Sequence, residues 1–129
     1  AEDGIRDYKV TGVQTCALPI FLGGHIVQGH VDAVASVTSI STTDGWRVRL
    51  APPREVMPWM IPKGSVCLDG VSLTLAAIDQ ASGWIEVALI PTTLDKTTLR
   101  AWTPGTRVNV EADMMVKTIA SCLATMRMA

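Results

Sequence analysis

The chain has no long apolar run, no basic cluster and no paired cysteines, and each absence removes a class of protein. No stretch approaches the roughly 20 apolar residues that a membrane-spanning helix needs. Lysine and arginine number 11 against 12 acidic residues, a net charge of −1 without runs of either sign. Neither nucleic acid nor an anionic membrane is therefore an expected partner. The 3 cysteines, Cys16, Cys67 and Cys122, lie far apart without a CxxC, which argues against a disulfide framework and against zinc. Apolar residues, by contrast, make up 48% of the 129 residues. With a charge near zero, that excess suggests apolar surface buried against another subunit or domain. The default location for such a chain is the cytoplasm.

The first 20 residues stand apart. Ala1-Glu2-Asp3-Gly4-Ile5-Arg6-Asp7 and Val10-Thr11-Gly12-Val13-Gln14-Thr15-Cys16-Ala17-Leu18-Pro19-Ile20 resemble the in-frame translation of the constant parts of a short-read sequencing adapter. Tyr8-Lys9 falls where the sample index would lie. Read as a signal peptide, Cys16 to Leu22 is too short, is interrupted by Pro19 and follows acidic residues. The expectation is that residues 1–20 are an artefact, that 21–113 form one small domain and that 114–129 form a C-terminal helix. The native sequence upstream would then be missing.

The body reads as short strands broken by turn residues. Val31, Ala33, Ala35 and Val37 alternate with polar neighbours, and Asp44-Gly45 joins that stretch to Trp46-Arg47-Val48-Arg49-Leu50 as a hairpin. Pro52 to Met60 could hold a short helix, with Pro53 suited to its first turn. Ser65 to Leu68 and Val71 to Ile78 flank the turn Asp69-Gly70. Trp84 to Leu89 is a strand that Pro91 ends, and Arg107 to Val110 closes the set. Six short strands at this spacing predict an all-β fold, a small closed or partly closed antiparallel barrel. From Asp113, a fitting N-cap, Met115, Ile119, Cys122, Leu123 and Met126 share one helical stripe. That stripe could cover an open barrel end or meet another subunit.

The residues with chemistry are few. His25 and His30 fall on opposite faces of a strand and about 140° apart on a helix, so they do not readily share a metal ion. No third ligand stands nearby. His25, beside two glycines, reads as a hydrogen-bonded structural residue. Ser72 and Thr74 are two apart and point to one face while Leu73 points to the other. Their hydroxyls serve either cross-strand bonding or a ligand. Ile90-Pro91-Thr92-Thr93-Leu94 follows a strand directly, where backbone groups freed by Pro91 and threonine hydroxyls can meet the edge of a flat heterocycle. Lys63 alone reads as a solvated lysine.

Three runs change these weights: Gly23-Gly24-His25-Ile26-Val27-Gln28-Gly29-His30-Val31-Asp32, Leu68-Asp69-Gly70-Val71-Ser72-Leu73-Thr74 and Ile90 to Leu94. With Pro62-Lys63-Gly64 and Val108-Asn109-Val110-Glu111-Ala112-Asp113, they resemble riboflavin synthase, in order, over about Leu22 to Met115. The resemblance implies a six-stranded Greek-key barrel with a short connecting helix and a C-terminal helix that helps hold a homotrimer. It implies two 6,7-dimethyl-8-ribityllumazine molecules as substrates, one giving a four-carbon unit to the other. Riboflavin and 5-amino-6-ribitylaminouracil are the products, without cofactor or metal. It places Gly29, His30, Val31, Lys63, Ser72, Leu73, Thr74 and Ile90, Pro91, Thr92, Thr93 and Leu94 at the substrate. His30, Ser72 and Thr74 become the catalytic candidates. Asp113 matches a family position near the site, although capping explains it equally well. Thr92 stands where the family often has histidine or glutamate.

Only the second of the family's two tandem barrels is matched, and the family's site lies between barrels of different subunits. The chain by itself is therefore expected to bind ligand and to turn over poorly or not at all. A non-catalytic lumazine protein is the alternative, but Gly29, His30, Val31, Lys63, Ser72, Thr74 and Thr93 all stand here. A flavin reductase barrel is excluded by the absence of its Arg-x-Tyr-Ser/Thr run, the single tyrosine being Tyr8.

Overall fold

The computed structural model describes residues 24–128, so the adapter-like segment 1–20 lies outside it. Strands β1 (Ala33–Ser41), β2 (Trp46–Ala51), β3 (Ser65–Leu68), β4 (Val71–Asp79), β5 (Trp84–Leu89) and β6 (Arg107–Ala112) form a closed antiparallel barrel. The order around it is β1-β2-β5-β4-β3-β6, with β6 paired back to β1. β3, β4 and β5 follow one another as hairpins, and β2 lies beside β5 after the long connection through residues 52–64. That is the Greek-key arrangement.

Alternation along each strand builds the interior. Val48 and Leu50 of β2, Val66 and Leu68 of β3, and Ile85 and Val87 of β5 are fully buried. Their neighbours Arg47, Arg49 and Glu86 face outward and pair with one another at 2.9 and 3.1 Å. Fully burying one such aliphatic side chain contributes roughly 1.5–3 kcal/mol. Register shifts in β1 between Val37 and Ser39, and in β4 between Leu75 and Ala77, add the bulges that let so small a barrel curve shut.

The connections differ from expectation in two places. Over Pro52 to Met60 the helical piece is a single 3-10 turn, Met57–Trp59, with Pro58 rather than Pro53 in its first turn. Pro53 instead opens the preceding turn, where its carbonyl accepts from the Val56 N–H at 3.2 Å. Val56, Met57 and Met60 then bury themselves in the core. Beyond β5, Pro91, expected only to end the strand, also starts helix α1 (Pro91–Lys96), and a 3-10 turn follows over Thr98–Ala101. Proline is suited to a first helical turn because it lacks an N–H that would go unpaired there.

The C-terminal helix α2 (Met114–Met128) begins where expected. The Asp113 Oδ1 accepts from the Met115 N–H at 2.8 Å, an N-cap contribution of about 1 kcal/mol. Lys117 ties the first turns to the barrel, its Nζ lying 2.8 Å from the Asp32 carboxylate and 5.7 Å from the Trp59 ring centre. Past that anchor the stripe of Met115, Ile119, Cys122, Leu123 and Met126 is exposed to solvent. It does not cover the barrel end.

Candidate functional site

The β3–β4 hairpin sets the outward chemistry. Its loop is the pair Asp69-Gly70, both at positive φ (47° and 84°), as a two-residue hairpin loop matched to strand twist requires. The Asp69 carboxylate holds the turn against β6, accepting from the Asn109 N–H at 2.8 Å and from the Trp102 indole N–H at 3.3 Å. The resulting register places Ser72 opposite Cys67 and Thr74 opposite Ser65, while Glu111 of β6 lies on the other side of Cys67. Ser72 and Thr74 are exposed on the outer face, and Leu73 turns inward against the core.

An extended segment, residues 25–32, lies across that outer face. The Asp32 N–H donates to the Val110 carbonyl at 2.8 Å, and the Asp32 carboxylate accepts from the Ala112 N–H at 2.8 Å. At the segment's start, His25 Nδ1 is 2.9 Å from the Ser72 hydroxyl. The His25 side chain is only 3% exposed, and its Nε2 has no hydrogen-bond partner and sits 3.9 Å from Asp113 Oδ2. Asp113 thus caps α2 with one oxygen and faces a histidine with the other. Between the anchors, the Glu111 carboxylate accepts from the Gln28 and Gly29 N–H groups at 2.9 and 3.1 Å. Gly29 takes φ +79°, a conformation a side chain would strain. These amides hold the Glu111 carboxyl below the usual carboxylate range, against the opposing effect of burial. Cys67, beneath the segment, is pushed up, first by burial and then by the Glu111 charge.

The structure therefore brings Gly29, His30, Val31, Ser72 and Thr74 to one face of β6, β3 and β4. The Lys63 main chain lies beside β4, its N–H donating to the Leu75 carbonyl at 3.0 Å at φ +65°. His30 and Val31 are exposed there. The stretch Ile90 to Leu94 lies at the barrel end where β4 starts, since β4 and β5 run antiparallel. Ile90 is 63% exposed, Thr92 is exposed, Thr93 is half-buried and Leu94 belongs to the core. Among the described residues, no hydrogen bond joins that stretch to the His25–Ser72 group.

Two concavities accompany this face. A cavity of about 100 Å³ is lined by Gly29, Val31, Cys67, Gly70, Asn109 and Glu111. Enclosing a drug-sized ligand takes roughly 300 Å³ or more, so a two-ring heterocycle would lie on the face rather than in this cavity. A wider depression of about 380 Å³ runs along α1 and the turn after it, sharing only Leu94 with the predicted residues. Among the described residues, no three His, Cys, Asp or Glu side chains converge as metal ligands, and no helix is long and apolar enough to cross a membrane.

Two residues of this site lie beyond sequence reasoning. Spacing separates the two histidines by face, yet only the folded segment decides that His25, not His30, reaches Ser72. Glu111 had one weak signal, an acidic residue in a strand of apolar neighbours.

Residues 28–113 match the family described as the lumazine binding domain. The chain is 43% identical over 111 residues to the riboflavin synthase of Mycobacterium tuberculosis, covering 84% of this chain and 55% of that protein. It is 37% identical over 105 residues to the riboflavin synthase of Photobacterium phosphoreum, covering 78% and 46%. The chain thus spans about half the length of the curated relatives it matches. Among solved structures, LumP complexed with 6,7-dimethyl-8-(1'-D-ribityl) lumazine aligns with a TM-score of 0.61 at 22% identity, over 68% of this chain and 48% of that one. That likeness is one of fold.

Proposed function

We infer that this chain, which belongs to the lumazine-binding domain family, is the second barrel of a riboflavin synthase and binds 6,7-dimethyl-8-ribityllumazine on the outer face of β6, β3 and β4. The observation that carries the reading is the Ser72 hydroxyl, exposed on that face yet held at 2.9 Å by a histidine whose side chain is buried. A hydroxyl serving only the fold would not need an orienting imidazole beneath it. Around it, Thr74 supplies a second hydroxyl, Lys63 reaches the ribityl chain, and Ile90 with Thr92 and Thr93 borders the ring system. Leu73 and Leu94 act by shaping the backbone beneath.

The reaction joins two such ligands, one transferring a four-carbon unit to the other to give riboflavin and 5-amino-6-ribitylaminouracil. The 7-methyl group of the lumazine loses a proton readily, because the resulting carbanion delocalises over the heterocycle. Stacking two ligands in a reactive orientation then supplies much of the rate, an effect worth about 7–11 kcal/mol in the best intramolecular cases. His30, exposed on this face, exchanges protons with the ligand. Ser72 and Thr74 stabilise developing charge, with His25 aligning Ser72.

Turnover needs a second ligand site, and the relatives' other half is its natural source. The exposed stripe of α2 supports a homotrimer in the full-length protein. Cys67 and Cys122, both free, fit the reducing cytoplasm.

Fluorescence titration of the chain with 6,7-dimethyl-8-ribityllumazine tests the reading. Saturation at one ligand per chain is expected, weakened at least tenfold by Ser72→Ala, with no riboflavin formed by the chain alone. Absence of saturation would remove the proposed function, and riboflavin formation would remove the need for a partner barrel. Adding the N-terminal barrel of a relative should bring turnover; binding that stays without turnover supports the lumazine-protein alternative instead.

A further inference from the structure

We propose that Glu111 is a positioning residue for the ligand: its carboxylate clasps the backbone at Gln28 and Gly29 and so sets where His30 and Val31 stand. The assignment rests on the proposed lumazine site and extends it.

Glu111 occupies an outward position of β6, between the inward Val110 and Ala112, yet it is 5% exposed and is the one buried charged side chain among the described residues. It is covered by the segment it binds. Both carboxylate oxygens are used, one by each amide. Consecutive N–H groups converging on one anion form the nest geometry that proteins use to bind anions, with Gly29 providing the left-handed turn. Here the anion comes from the protein. Among the described residues, no lysine or arginine lies within ion-pairing distance of Glu111; its charge is answered chiefly by these amides, with the His30 ring as the one titratable cationic group acting on it.

The clasp acts on the segment and not on the barrel. None of residues 25–32 belongs to the packed core, and no backbone–backbone hydrogen bond ties residues 26–31 to the strands among the described residues. The segment is pinned by His25 at one end and Asp32 at the other, and Glu111 holds its middle. Without it, the two residues of the segment assigned to the ligand would hang from a loop fixed only at its ends. Glutamine in its place keeps the shape but turns an NH2 donor toward an N–H donor, so one of the two bonds must break.

The test uses the whole chain, ¹⁵N-labelled, with three variants. Glu111→Gln removes the charge and breaks one of the two bonds of the clasp. Glu111→Asp keeps the charge and shortens the side chain by one methylene. Glu86→Gln removes a carboxylate of the same outer surface that pairs only with Arg47 and Arg49. In wild type, the amide signals of Gln28 and Gly29 should titrate together as Glu111 protonates in acid, and their hydrogen exchange should be slow. Glu111→Gln is expected to abolish that titration, speed exchange at one or both amides and weaken 6,7-dimethyl-8-ribityllumazine binding at least tenfold. Glu111→Asp should give intermediate values, and Glu86→Gln should change none of the three. If Glu111→Gln frees the amides and binds ligand as tightly as wild type, the positioning role is overturned while the ligand site stands. If wild type itself binds no ligand, the proposed function falls and this role falls with it.

Discussion

At the scale of the residue, the site is built from groups held in unusual states. Lys63 sits at φ +65°, which costs a non-glycine residue of order 1–3 kcal/mol. Lys63→Gly is therefore expected to leave thermal stability unchanged or raise it by about 0–1 kcal/mol, because relief of strain is partly offset by the extra freedom of glycine in the unfolded chain. The same variant should bind 6,7-dimethyl-8-ribityllumazine several-fold more weakly. Calorimetric melting and ligand titration on one preparation check both halves, and unchanged binding would return Lys63 to the role of a solvated turn residue. His25 shows the complementary case, a polar ring that is 3% exposed with one nitrogen on Ser72 and the other unpartnered near Asp113. Burying a polar atom unpaired costs about 1–3 kcal/mol, so the Asp113 carboxylate 3.9 Å away is the group placed to offset it.

At the scale of the element, strands and helix divide the labour. The β3–β4 hairpin aims two hydroxyls outward, and the segment before β1 brings histidines and glycine to the same face. Helix α2 is anchored by Asp113 and Lys117 over its first turns, and the rest of its apolar side is uncovered, with Ile119 58%, Leu123 55% and Met126 73% exposed. A lone amphipathic helix presenting its apolar stripe to water has an unfilled contact surface. We expect wild type to elute as a multimer in size-exclusion chromatography with light scattering, and Leu123→Lys to shift the mass toward monomer with unchanged circular dichroism. A monomeric wild type at high concentration would show that α2 does not assemble this barrel by itself.

At the scale of the whole molecule, stability should depend on pH from both sides. The carboxyls of Glu111, held by the Gln28 and Gly29 amides, and of Asp79, held chiefly by the amide and hydroxyl of Ser82, lie below their usual range. A lowered folded value means that their contribution is complete above the unfolded value, about 4, and is lost as pH falls through the folded one. The Cys67 thiol is raised by burial, so its contribution is complete below the unfolded value, about 8.5, and is lost as pH rises through the folded one. Guanidinium midpoints should thus form a plateau from about pH 5 to 8, with Glu111→Gln flattening the acid limb and Cys67→Ala the alkaline limb. An acid limb untouched by Glu111→Gln would show that its amide bonds are not made in solution. The fold itself was legible from sequence: period-two alternation and turn pairs such as Asp69-Gly70 are local, and local rules place strands. The helical start at Pro91 was not legible, because Ile90 to Leu94 has no period long enough to declare itself. The reduction of Pro52 to Met60 to one turn was hidden too, because burial of Val56, Met57 and Met60 decided it. For the candidate site, spacing alone put Ser72 and Thr74 on one face, while Lys63 and the glycine–histidine segment were added only by the resemblance. Which histidine touches Ser72, and that Glu111 closes on the Gln28–Gly29 backbone more than 80 residues away, depend on how one extended segment lies across strands made much later in the chain. Such contacts arise only when the barrel closes, so tertiary structure alone decided them.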